Sequence, residues 1–283
     1  MRAVPHAPAV SPRRPHCGLR VLAAALALAA TGAMPVAAAA LYREVPATAF
    51  VSIIDDAGGS APRPLAAYSM RSEPVTNAEF LAFVAANPQW QRGQAPSVFV
   101  DQGYLAHWQG ATALGASALP RQPVTRVSWF AAEAYCESEQ ARLPTWLEWE
   151  RAAAASASVA DARNDPAWRQ QLLDWYARPA RGTLAEIGGD ANLYGVRDLH
   201  GLVWEWVDDY AALMVAADSR DQNDPDRLKF CGSAALSLRD RDNYALLMRV
   251  AMLSSLKAAD TTTSLGFRCV RDATTATATT TTP

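Results

Sequence analysis

The chain has 283 residues, half of them hydrophobic, with 26 Lys and Arg against 28 Asp and Glu for a net charge of −2. That apolar content supports a sizeable core in one large domain or two small ones. Residues 1–40 hold Arg2, Arg13, Arg14 and Arg20 and no acid, which leaves 22 basic against 28 acidic residues afterwards, and a mildly acidic body argues against nucleic acid as a partner.

The N-terminus reads as a secretion signal. Basic residues stop at Arg20, an apolar run follows from Val21 to Ala30, and small residues continue to Ala40, which predicts cleavage before Leu41. The run is too short and Ala-rich for a membrane span and no other follows, so no membrane contact is expected after cleavage. Arg13-Arg14 suggests a twin-arginine signal, but Pro15, His16 and Cys17 occupy positions where apolar residues are usual, and general secretion fits better. Cys17 precedes the apolar run and so does not look like a lipid anchor. The expected location is periplasmic or secreted. Cleavage leaves Cys136, Cys231 and Cys269, an odd count that in an oxidising compartment implies one bridge and one leftover thiol.

From Leu41 to Ala67 the pattern predicts extended segments and turns, with Asp55-Asp56-Ala-Gly-Gly as a loop tip. Thr76 and Glu79 have the spacing of a capping box, and Phe80, Phe83 and Val84 line one face of the helix behind it. Pro88 to Pro120 reads as a long packed loop. His107, beside Trp108, is expected to pack or hydrogen-bond there, not to bind a ligand. Ser128 is the expected cap of a helix through Tyr135 and Cys136. A second capping box, Thr145 with Glu148, opens a helix through Trp149 into an Ala run, and Glu148 and Glu150 read as helix-start electrostatics. Asn164 to Tyr176 predicts an amphipathic helix with Pro166 in its first turn.

Asn192 to Trp206 has neither a helical nor a strand period and reads as an irregular, tightly packed backbone. Asp198, Gly201, Val203 and Glu205 fall at spacings that suit a hard cation held by two carboxylates and loop carbonyls. Spacing alone better fits a Trp-rich core turn whose acids satisfy backbone donors, because calcium loops vary widely. Arg239-Asp-Arg-Asp242 is an alternating charge patch, either a solvated loop or a partner-binding element. Cys231 reads as a small buried hydrophobe, or with Met248 and Met252 as a soft site for transient copper. Residues 273–283, almost all Thr and Ala, have nothing to bury and are expected to be disordered.

Several of these stretches together resemble the formylglycine-generating enzyme (sulfatase-modifying factor) family, from roughly Tyr68 to Val270. They are Pro74-Val-Thr-Asn-Ala-Glu-Phe, Pro123-Val-Thr-Arg-Val-Ser-Trp, Arg142-Leu-Pro-Thr-Trp-Leu-Glu-Trp-Glu, Asn192-Leu-Tyr-Gly, Asp198-Leu-His-Gly-Leu-Val-Trp-Glu-Trp and Gly266-Phe-Arg-Cys. The resemblance implies one α+β domain over residues 41–272, related to C-type lectins and poor in regular secondary structure. It implies a structural calcium ion at Asp198, Gly201, Val203 and Glu205, with Asp198 where the family more often has Asn. It also implies a Cys136–Cys269 disulfide, with Cys231 as the free thiol. A second calcium loop usual near Ser156 is not found, so a single ion is expected.

The active members of that family place a cysteine pair shortly after a Gly-Gly-Ser turn and use it to hold copper, since paired thiolates suit Cu(I). Here the first cysteine position holds Leu236, and Ser237–Asp242 contains no cysteine. Copper is therefore not expected. Trp204 and Ser233 match residues that line the family's oxygen pocket, and Arg249 and Ser254-Ser255 match an Arg and Ser bracketing the following strand. The function implied is that of an exported member without formylglycine-generating activity, acting as a binding or maturation factor for a periplasmic protein. The chain most resembles a periplasmic subgroup associated with copper nitrite reductase, which makes a copper enzyme the implied partner. The alternatives are an oxidoreductase that modifies a protein or peptide with oxygen in the same cleft, and a lectin-like ligand-binding module.

Overall fold

A computed structural model describes residues 41–54, 61–177, 183–213 and 244–273. The secretion signal, the Asp55-Asp56 tip, Cys231, Ser233, Leu236, the Arg239–Asp242 patch and the tail after Ala273 lie outside the described residues.

The N- and C-terminal parts of the domain are joined in one antiparallel sheet. Strand β1 (Tyr42–Val45) pairs with β4 (Tyr68–Arg71), which pairs on its other side with β7 (Val270–Asp272). Val45, Tyr68, Met70 and Val270 are buried on it. Between β1 and β4 lies a short ladder of β2 (Thr48–Phe50) and β3 (Arg63–Leu65). A parallel pair, β5 (Trp204–Glu205) with β6 (Leu265–Gly266), sets the Trp-Glu dipeptide against the Gly-Phe-Arg-Cys segment. Gly266 is required by the backbone packed behind it, because a Cβ there would sit 2.6 Å from the carbonyl oxygen of Val124.

The helices begin where the local chemistry predicts. In α1 (Asn77–Ala86) and α3 (Trp146–Ala153), Thr76 and Thr145 form complete capping boxes with Glu79 and Glu148. Ser128 caps α2 (Trp129–Ser138), and Asp165 caps α4 (Pro166–Tyr176), whose proline occupies the first turn. Phe80 and Phe83 of α1 meet Tyr135 of α2 at 5.8 and 5.4 Å between ring centroids, and Phe267 joins both Phe80 and Tyr135 at 6.0 and 5.4 Å. Cys136 on α2 is disulfide-bonded to Cys269, with Cα atoms 5.5 Å apart.

Pro88 to Pro120 contains only a short 3₁₀ turn at Pro88–Trp90 and is otherwise turns and bends. Side chains replace the missing ladder: Arg92 donates to the carbonyls of Leu105 and Trp108, and Trp108 Nε1 donates to Asn77 Oδ1.

Two expectations are corrected. The segment carrying Arg249 and Ser254 is a helix, α5 (Tyr244–Ser254), not a strand. Leu246, Val250 and Leu253 recur at helical spacing and are all buried, and that period outweighs the strand implied by resemblance. Glu150 is no helix-start charge. It is fully buried, accepts from the Ile53 amide, Trp146 Nε1 and the Ser52 hydroxyl, and pairs with Arg163 at 2.8 Å, fastening the end of β2 to α3. No described helix is long and apolar enough to cross a membrane.

Candidate functional site

The Asn192–Trp206 stretch is held by side chains, as its composition predicts. Asn192 Oδ1 accepts from the amides of Tyr194 and Val196, and its Nδ2 donates to the Ala152 carbonyl. Asp198 and Gly201 both take left-handed backbone, with φ of 58° and 92°, and the Trp175 ring lies 3.4 Å from where a Cβ on Gly201 would stand. Beyond Gly201 the chain enters β5, with the Trp204 amide on Ser264 O and the Trp206 amide on Gly266 O.

Glu205 sits at the centre of this architecture with no solvent exposure. Arg268, equally buried, donates to it through Nε and Nη2 at 2.8–3.0 Å, and Trp149 Nε1 adds a bond of 2.8 Å. The same guanidinium reaches the carbonyls of Arg71, Ser72 and Arg197, so one side chain fastens β4, the 192–206 stretch and the β6–β7 segment. Arg249 lies 3.4 Å over the Trp149 ring and 5.9 Å from that of Trp204, and donates to the Glu205 carbonyl. Burial lowers its pKa to about 10, which still leaves it charged at neutral pH.

The four residues expected to hold calcium are thus placed, but the two carboxylates share no partner. Asp198 accepts from the amides of Gly188 and Gly189, while Glu205 is taken up by Arg268 and Trp149. This is the arrangement in which the acids satisfy internal donors, and a cation bound by both would have to displace them. Among the described residues, no group of three or more His, Cys, Asp or Glu side chains is assembled that could hold a metal.

His200, within the same stretch, was not singled out from the sequence. Its Nε2 contacts the Ala153 carbonyl at 2.9 Å, and the rings of Trp149 and Trp168 meet it edge-on at 5.8 and 5.6 Å. Burial, with Arg249 and Arg268 adding repulsion, lowers its pKa from 6.5 to about 4. The folded protein therefore keeps this imidazole neutral while the unfolded chain protonates it. Its contribution to stability is complete above pH 6.5 and is lost as pH falls towards 4. Urea unfolding midpoints measured from pH 7 to pH 4.5 should fall, and the fall should be shallower in His200→Gln. An unchanged slope in the variant would show that His200 titrates normally.

Trp204 faces outward from this core into a cleft of ≈ 810 Å³. Trp175 and Tyr176, at the end of α4, pack against its ring at 6.0 and 5.2 Å. The rest of the lining includes His107, Arg126, Thr263 and Ser264. Of the cleft residues expected from sequence, Trp204 and Arg249 are brought together around Trp149. Ser233 and Leu236 lie outside the described residues. Sequence reasoning missed Trp149, Arg268 and the cover formed by α4. The only available signal was a Trp-Tyr pair ending an amphipathic helix.

These features define a mixed α+β domain with a buried Glu–Arg hub and an aromatic cleft beside it. The chain belongs to the family of the sulfatase-modifying factor enzyme 1-like domain, whose pattern matches residues 44–273. It is 31% identical to the formylglycine-generating enzyme of Streptomyces coelicolor over 249 residues, covering 70% of this chain and 76% of that one. It is also 31% identical to the hercynine oxygenase of Mycobacterium tuberculosis over 157 residues, covering 50% of this chain and 37% of that one. It therefore spans about three-quarters of the first relative and little over a third of the second. Among solved structures, the crystal structure of CarF aligns at a TM-score of 0.45 and 17% identity, over 82% of this chain and 98% of its own.

Proposed function

We propose that this chain is an exported member of its family that has lost formylglycine generation and uses the Trp204 cleft to bind a segment of a periplasmic protein during its maturation. Leu236 at the first cysteine position, with no cysteine in Ser237–Asp242, carries the first half of this reading. A Cu(I) centre built on paired thiolates has no ligands there. The cleft, lined by aromatic residues around Trp204 and by several polar ones, supports the second half. A copper enzyme is the proposed class of partner. A structural calcium ion at Asp198 and Glu205 belongs to the proposal with a stated competitor, since Arg268 already pairs with Glu205.

The second reading is an oxidoreductase acting with oxygen in the same cleft, and it is favoured by the relatives named hercynine oxygenase. The discriminating measurement is mass spectrometry of a sulfatase-motif peptide incubated with the purified protein, Cu(I) and oxygen. No formylglycine is expected. Copper-dependent aldehyde above a boiled control would restore the enzyme. In parallel, immobilised wild type should retain a periplasmic protein that Trp204→Ala does not.

A further inference from the structure

The cleft also has polar lining residues whose hydrogen-bonding capacity is unspent. Of the polar side chains lining it, Asn77 accepts from Trp108 Nε1 and donates to the Leu119 carbonyl. Gln122 accepts from the Leu119 amide and donates to the Leu184 carbonyl. Both are consumed in holding the wall together.

Arg126 and His107 are not. Among the described residues, the Arg126 guanidinium makes no hydrogen bond and no ion pair, and His107 Nδ1 is buried without a partner. The nearby cation gives no relief: Arg92 is occupied by the carbonyls of Leu105, Ala106, Trp108 and Gln109. Burial, with Arg126 and Arg92 adding repulsion, pulls the pKa of His107 to about 4. The neutral ring can still donate one N–H.

The backbone at Arg126 is held firmly. Its amide donates to the Thr262 carbonyl, its carbonyl accepts from the Leu105 amide, and φ is 54°. Glycine or asparagine would adopt that left-handed conformation at lower cost than arginine. Arg126, half-buried on a fixed, unfavourable backbone, thus lines the cleft, and no side chain among the described residues pairs with it.

We propose that this part of the cleft is a carboxylate subsite, where Arg126 pairs with a carboxylate of the bound peptide segment. The proposal rests on the peptide-binding reading of the cleft and adds the charge of the segment. The carboxylate could come from an acidic side chain or from a chain terminus, and the test separates them.

The probes are N-dansyl random heptapeptide pools titrated into the full chain. One carries a fixed Glu and an amidated C-terminus, one a fixed Gln and an amidated C-terminus, and one a fixed Gln and a free C-terminus. Wild type should bind either the Glu pool or the free-acid pool about tenfold more tightly than the neutral pool. The first outcome assigns a side chain, the second a terminus. Arg126→Gln should abolish that preference, while Arg126→Lys should keep part of it. Equal affinities for all pools in wild type, or a preference that survives Arg126→Gln, would overturn the subsite and leave the cleft reading standing. Failure of wild type to bind any pool, the neutral one included, would remove both.

Discussion

Replacing Cys136 and Cys269 together by Ala should lower the melting temperature by about 10 °C. The bridge closes a loop with a sequence separation of 133, and a loop of this length restricts the unfolded chain strongly. Typical disulfides contribute about 2–4 kcal/mol, and for a domain of this size each kcal/mol corresponds to roughly 2–4 °C. The native side should survive the loss. Arg142 and Val270 exchange two backbone hydrogen bonds beside Cys269, and Arg71 donates its amide to the Cys269 carbonyl, so the C-terminal segment keeps its position without the bridge. Thermal melts of wild type and the double variant, with and without reductant, test this. A double variant melting within about 2 °C of oxidised wild type would show that the bridge contributes little beyond those bonds.

Arg268→Met should be as damaging, for a different reason. Removing one member of a buried ion pair leaves an uncompensated charge and costs about 3–5 kcal/mol. Here the variant strands Glu205, which has no exposure, and removes the donor from the carbonyls of Arg71, Ser72 and Arg197. Adding Glu205→Gln should recover part of the loss, because the stranded charge goes while the amide can still accept from Trp149. The coupling in this double-mutant cycle is expected to be favourable by about 1–3 kcal/mol, read from urea unfolding. If the double variant is no more stable than Arg268→Met alone, the electrostatic account fails and the loss is one of packing and carbonyl satisfaction.

How much of this was legible depends on how far apart the interacting residues are. Thr76 with Glu79, Thr145 with Glu148, Ser128 with the Ala131 amide, and Pro166 in a first turn are contacts within three or four residues. Such chemistry can be read from the chain because the helix itself sets the spacing. The period of Leu246, Val250 and Leu253 was equally readable, and a strand expected by resemblance obscured it. Glu150 shows the opposite case. Its partners Ser52 and Ile53 are 98 and 97 residues away, and nothing next to Glu150 announces them.

By itself, the sequence determined the helix starts, the irregular character of Asn192–Trp206 and the absence of a cysteine pair in residues 236–242, because these are matters of local bonding or of which atoms are present. It also identified the family through its motifs. Only the tertiary structure decided that Glu205 pairs with Arg268 across 63 residues, that α4 lays Trp175 and Tyr176 against Trp204, and that Arg126 and His107 line one cleft. Spacing along the chain fixes which side chains of one turn or helix can meet. Which distant segments meet is chosen by burial and by the demand that every buried polar group find a partner, and that choice exists only once the chain has packed.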